Sequence, residues 1–235
     1  MKRFYYTLAA ALAMVTLCLL TSTTTNTAKA GIVGSKHDFG ITTWSQGQIC
    51  LPCHAPHNTT PVATDGGEVT GPLWNRAVDT SKTYKMYVNG TKVDGKVDTN
   101  SILCLSCHDG VAALDSFGGG AGTTKLNFVA DVAKSPNLGT DLSNDHPIGE
   151  GAIWPTPTPS FMVDPAKRAA ATGGAIMPLR KMTDGRLAVG CTSCHEPHNR
   201  KNTNYMLWVA NDKAGTTVDG RAVSGSVLCL NCHIK

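Results

Sequence analysis

Apolar residues are spread unevenly along this chain. The one long apolar run, Phe4 to Leu20, follows Lys2 and Arg3 and precedes a Thr-rich polar stretch ending in Ala28-Lys29-Ala30. A basic start, a short apolar run and an A-x-A site predict a secretory signal peptide over residues 1–30, cut after Ala30. The competing reading is an uncleaved anchor helix, because the run is near the lower limit for spanning a bilayer. Leu17 rather than a small residue precedes Cys18, which argues against a lipoprotein signal. Beyond Ala30 no stretch is long and apolar enough to cross a membrane, and no long amphipathic helical period appears. The pattern predicts mostly coil, with short α or 3-10 turns and a few short strands. Residues 111–190 read as loose: Gly118-Gly119-Gly120-Ala121-Gly122 as a flexible turn, and Pro155, Pro157 and Pro159 as extended chain.

The cysteines change this picture. The chain has 9, and once Cys18 leaves with the leader all the others stand in C-x-x-C pairs. Each pair is followed directly by histidine: Cys50/Cys53-His54, Cys104/Cys107-His108, Cys191/Cys194-His195 and Cys229/Cys232-His233. C-x-x-C-H is the attachment sequence of c-type haem. Two thiols one turn apart reach the two vinyl groups on one porphyrin edge, and the next residue sets its imidazole under the iron. A disulfide framework or zinc sites could also use paired cysteines, but neither explains a histidine after every pair. Four haem c groups are therefore expected, and attachment of c-type haem outside the cytoplasm agrees with export.

Of the 8 histidines, His54, His108, His195 and His233 are the expected proximal ligands, leaving His37, His57, His146 and His198. Four irons need four distal ligands, so bis-His coordination is the leading reading. Met86, Met162, Met177, Met182 and Met206 are the alternative ligands, most of them expected otherwise to pack on porphyrin faces. An open iron site is the third possibility. His54-Ala55-Pro56-His57-Asn58 and His195-Glu196-Pro197-His198-Asn199 repeat one pattern. Histidines three apart on a helical turn share a face. They cannot easily clasp one iron, so His57 and His198 are each expected on a haem other than the one attached just before them.

The chain also repeats itself. Val93-Asp94-Gly95 precedes Cys104 as Val218-Asp219-Gly220 precedes Cys229, and Leu73-Trp74 and Leu207-Trp208 lie upstream of each. The expected fold is haem-organised: two duplicated dihaem modules with minimal β structure, at residues 31–115 and 186–235. Residues 116–185 form a connecting region that includes His146. Such a chain has too little core of its own, so the porphyrins replace it. Trp44, Trp74, Trp154 and Trp208 are expected against them. Removing residues 1–30 takes away three positive charges and no acid, so the formal net charge of +4 falls to +1. That balance gives no support to nucleic-acid binding, and eight haem propionates would take it to about −7.

The paired C-x-x-C-H units, the two C-H-x-P-H-N units, Lys36-His37-Asp38-Phe39 and Asn144-Asp145-His146-Pro147-Ile148-Gly149 resemble the doubled-CXXCH multihaem cytochromes of metal-reducing bacteria. The resemblance spans essentially the whole mature chain. It extends to tetrahaem members that polymerise into extracellular filaments, and it implies bis-His ligation with one distal histidine given to a neighbouring subunit. His57 is the first residue it implies for that role and His37 the second.

The expected role is electron transfer without substrate chemistry, because bis-His irons leave no vacant site. The first reading is a head-to-tail homopolymer at the cell surface, fed by redox partner cytochromes and delivering electrons to external acceptors such as metal oxides. The second is a monomeric periplasmic shuttle. A multihaem reductase would need an open iron, and a membrane quinol dehydrogenase would need the N-terminal helix retained. N-terminal sequencing of the exported protein is expected to read from Gly31; a sequence starting at Met1 would return the anchor reading.

Overall fold

The computed structural model describes residues 31–57, 62–64, 67–69, 73–127, 135–165, 177–211, 217–218, 221–222 and 226–234. All lie within the unit Gly31–Lys235. The proposed leader falls outside the described residues. Most of the described residues are coil, as the weak periodicity predicts. Among the described residues, no helix is long and apolar enough to cross a membrane.

Regular structure is short. Four two-stranded antiparallel hairpins are formed by β1 (Val62–Thr64) with β2 (Gly67–Val69), β3 (Tyr84–Val88) with β4 (Thr91–Gly95), β5 (Arg180–Lys181) with β6 (Leu187–Ala188), and β7 (Thr217–Val218) with β8 (Arg221–Ala222). Three α-helices, α1 (Thr99–His108), α2 (Cys191–Cys194) and α3 (Val227–Leu230), each carry cysteines of an attachment motif. Short 3-10 turns lie at Phe39–Ile41, Gly149–Ala152 and Asn204–Met206.

The β3–β4 hairpin and α1 build the main protein-only core. Asn89 and Gly90 both have positive φ, 48° and 85°, the geometry of the tight Asn-Gly turn that matches strand twist. The strands pair from Tyr84 with Gly95 to Val88 with Thr91. Alternation then buries Tyr84 and Met86 and turns Lys85 and Tyr87 outward. Asp98 caps α1 by accepting from the N–H groups of Asn100 and Ser101, both at 3.1 Å. The helix lays Ile102 and Leu105 on Tyr84, Met86, Val97 and Leu142, and Val78, Val88 and Ile148 pack at the margin. Met86 is thus a core residue of the hairpin.

The described parts of residues 116–185 are not loose. Leu142 belongs to the same cluster, and Lys85 exchanges backbone hydrogen bonds with Thr140 and Leu142. Residues 149–154 then bind the strand before the third motif: Gly149 N–H donates to Val189 O at 2.8 Å and Trp154 N–H to Leu187 O at 2.7 Å. Gly149, at φ 57°, packs so closely that a Cβ would lie 2.5 Å from Lys96 O. Farther on, Val163 packs against Leu230 of α3 and Ile234. Leu105, fully buried, is expected to be the costliest truncation. Leu105→Ala should lower unfolding free energy by about 2–5 kcal/mol in urea titration of the haem-loaded protein.

Candidate functional site

Each attachment motif forms one helical turn. The N–H of His54 donates to Cys50 O at 2.8 Å, that of His195 to Cys191 O at 3.0 Å, and that of His233 to Cys229 O at 3.0 Å. In the second motif this turn is the last of α1. After three of the turns the backbone straightens into an antiparallel bridge, pairing His54 with Trp74, His195 with Leu207, and His233 with Met162. Two hydrogen bonds flank each bridge. Ala55 N–H donates to Leu73 O and Asn75 N–H to Cys53 O, both at 2.9 Å. Glu196 N–H donates to Met206 O at 2.6 Å and Trp208 N–H to Cys194 O at 2.9 Å. Val163 N–H donates to Cys232 O at 3.0 Å and Ile234 N–H to Phe161 O at 2.9 Å. The histidine backbone is therefore clamped on both sides. His108 is held differently, its carbonyl accepting from Leu138 N–H at 2.7 Å.

These clamps are what the sequence reading missed. It sets Leu73-Trp74 beside Leu207-Trp208, whereas the bridges align Trp74 with Leu207, one residue out of that register. The clamping segments need left-handed backbone at non-glycine positions: Leu73 at φ 52°, and Tyr205 and Met206 at 59° and 55°. Each costs about 1–2 kcal/mol, and the bridge bonds offset it.

The imidazole rings come together in pairs. His37 lies 5.9 Å from His108, His54 6.1 Å from His198, and His146 6.3 Å from His233, centroid to centroid. Each pair joins one motif histidine to one that follows no cysteine. Two imidazoles on opposite sides of one metal, with metal–nitrogen bonds of about 2 Å, have centroids roughly 6 Å apart. Hydrogen bonds orient several rings. The Nδ1 of His108 faces Pro136 O at 2.6 Å, that of His195 faces Tyr205 O at 2.8 Å, and that of His146 faces Pro147 O at 2.9 Å. A carbonyl can only accept, so Nδ1 carries the proton and Nε2 is left to a metal. Burial, then the neighbouring His108, holds His37 down to about 4, although Pro197 O hydrogen-bonds its ring and opposes the shift. Burial also lowers His108. Both rings are thus kept neutral, the form that ligates.

His195 and His57 are the remaining two, both exposed, and neither has an imidazole opposite it among the described residues.

His198 is presented by a built turn. His195 itself is extended, at φ −99° and ψ 140°, so the two histidines are separated by that extension and not by a helical face. The buried Glu196 carboxylate accepts from Arg200 N–H at 2.6 Å and His198 N–H at 3.2 Å, with the Arg200 Nε 3.3 Å away and His198 Nδ1 3.4 Å away. Burial pushes this carboxyl up, but the backbone donors and Arg200 outweigh it and leave it below the ordinary value. Asn199 Nδ2 donates to Gly31 O at 3.1 Å and ties down the start of the described chain. In the other copy of the pattern Ala55 replaces Glu196.

None of the eight motif cysteines forms a disulfide. The Cys191 N–H donates to Ser101 Oγ at 2.9 Å and joins the start of α2 to α1. Cys53 lies in the field of Cys107, and burial pushes Cys53 up to about 12 and Cys107 above its ordinary value. Among the described residues, no three of His, Cys, Asp and Glu converge on a point that could hold a bare ion. Paired thiols with opposed imidazole pairs are instead what a covalently attached haem uses. The buried Trp74 Nε1 and Arg180 Nε have no acceptor among the described residues, as in a polypeptide folded around groups it does not itself supply.

Glu196→Ala is expected to free the His198 turn and cost about 1.5–3 kcal/mol at neutral pH, measured by denaturant unfolding. A lowered carboxyl stabilises above its ordinary pKa of about 4.3, so the difference from wild type should shrink as pH falls below that value.

One family model matches the chain: the doubled CXXCH motif, over residues 185–235, which hold the third and fourth attachment motifs. No curated protein matches it. The doubled motif is a covalent haem c attachment segment, and together with the geometry around it the match supports a multihaem c-type cytochrome that transfers electrons.

Proposed function

We propose that the chain is a tetrahaem cytochrome whose subunits join head to tail into an extracellular electron-conducting filament. Haem c is bound at Cys50/Cys53, Cys104/Cys107, Cys191/Cys194 and Cys229/Cys232. Three irons are held within one chain, by His54 with His198, His108 with His37, and His233 with His146. The fourth takes His195 from its own chain and His57 from a second copy. The observation that carries this reading is the arithmetic of the rings: three cross-paired sets leave one motif histidine and one spare, both exposed.

A donor site and an acceptor site on one surface make a heterologous contact, and such contacts propagate unless the rotation closes a ring. The groups supply one-electron chemistry at low potential, as bis-His irons do. The chain's residues would fix their spacing, and the eight histidines would supply two ligands for each of four irons. Electrons would enter from partner cytochromes and leave to acceptors such as metal oxides. Export through the leader at residues 1–30 puts the filament outside the cell, and the two C-H-x-P-H-N units mark a duplicated dihaem design.

A second reading has one observation in its favour. His198 follows the third motif yet faces His54 of the first. The reciprocal exchange would put His57 on the iron of its own His195 and give a monomeric periplasmic shuttle. Cryo-electron microscopy of material sheared from cells separates the two. Filaments with His57 on a neighbour's iron are expected, and His57→Ala should leave single subunits that retain four haems. Dispersed wild-type particles with His57 bound in cis would overturn the filament.

A further inference from the structure

We propose that Trp74 is a positioning residue that holds the plane of the His54 imidazole, giving the first haem site near-parallel axial rings where the second and fourth have crossed ones. This rests on the reading that Cys50/Cys53 carries haem with His54 and His198 as its ligands. A backbone clamp fixes where an imidazole starts but not how it is turned. The torsion between Cβ and the ring of histidine is broad, so neighbours have to set the ring plane.

The bridge supplies such a neighbour. In all three bridges the hydrogen bonds flank the paired residues, so each motif histidine and its partner form a non-hydrogen-bonded pair. The side chains of such a pair leave one face of the ladder at close range. The residue opposite the histidine is Trp74 in the first motif, Leu207 in the third and Met162 in the fourth. Of these, Trp74 alone is aromatic. Its ring centroid lies 5.9 Å from that of His54, with the two planes at 86°. Perpendicular ring contacts at this distance are favourable beyond the area they bury. Trp208 stands one position past Leu207 and so leaves the opposite face of its bridge. There its Nε1 donates to Thr192 O at 3.0 Å and Arg200 lies over its ring at 5.8 Å. The Trp74 Nε1 has no acceptor among the described residues, so no hydrogen bond of the indole draws it away from His54.

The ring pairs differ accordingly. His54 and His198 are stacked at 22°, His37 and His108 stand at 42°, and His146 and His233 at 66°. His233 faces the flexible thioether chain of Met162, and His108 stands in no such bridge among the described residues. Groups around a ligand that orient its ring tune the metal it holds. Near-parallel imidazoles lower the symmetry about the axis of a low-spin ferric iron and fix its half-filled d orbital in one direction. Crossed imidazoles leave two d orbitals close in energy.

The test is frozen-solution electron paramagnetic resonance of the oxidised, haem-loaded full-length protein. Haem is counted per chain by pyridine haemochromogen and located by mass mapping of the Cys50/Cys53 peptide. Wild type is expected to show a rhombic low-spin signal from the first site beside broad large-g signals from the crossed pairs. Trp74→Leu should lose the first site's rhombic signal, its intensity moving to large g. Trp74→Phe, which keeps a ring against His54, should retain it. A full-haem Trp74→Leu protein with the wild-type spectrum would overturn the proposal. Wild type with large-g signals alone would do so even if no variant matures. A Cys50/Cys53 peptide without haem, or a His198→Ala protein with the wild-type spectrum, would sink the ligand reading instead.

Discussion

A side chain can be held at a fixed distance from another only if its backbone has no freedom of its own. An imidazole hangs on two rotatable bonds, and a residue at the end of a single helical turn would ordinarily fray. In this chain the turn is closed by the histidine N–H on the first cysteine carbonyl, and three of the four histidines are then caught in an antiparallel bridge. The rest of the fold is arranged around that constraint. The coil segments that seem featureless in sequence are the outer strands of these bridges. The hairpin cluster and α1 anchor the second motif, the one that has no bridge.

The cross-pairing of rings explains how so little regular structure holds together. His198 faces His54, and His37 faces His108 while its ring also meets the Pro197 carbonyl. Each pairing joins segments far apart in sequence, so an iron between two rings would be a long-range staple as well as a redox centre. Loop closure of this kind stabilises most when the loops are long. A polypeptide with four hairpins and two small apolar clusters among its described residues would gain most from such staples.

Legibility in the sequence followed the range of the interaction. The attachment motifs could be read at once, because thiol and imidazole spacing is local. The β3–β4 hairpin was equally local, with alternating Tyr84 and Met86 before Asn89-Gly90, but it was subsumed in a general expectation of coil. The clamps were half visible: the repeated Leu-Trp pairs pointed to the right segments, yet only the bridges show that Trp74 stands where Leu207 does. Ring partners were out of reach, since nothing near His37 in sequence specifies His108. Glu196 left a trace as the one difference between the two H-x-P-H-N units at their second position.

The cap of α1 has a second consequence. Asp98 also accepts from the Ser101 hydroxyl, and that hydroxyl oxygen accepts from the Cys191 N–H at 2.9 Å. One carboxylate thus sets the start of α1 and, through one hydroxyl, the start of α2. The spacing of the second and third motifs is written into backbone and capping contacts, and the cysteine side chains are left free of that duty.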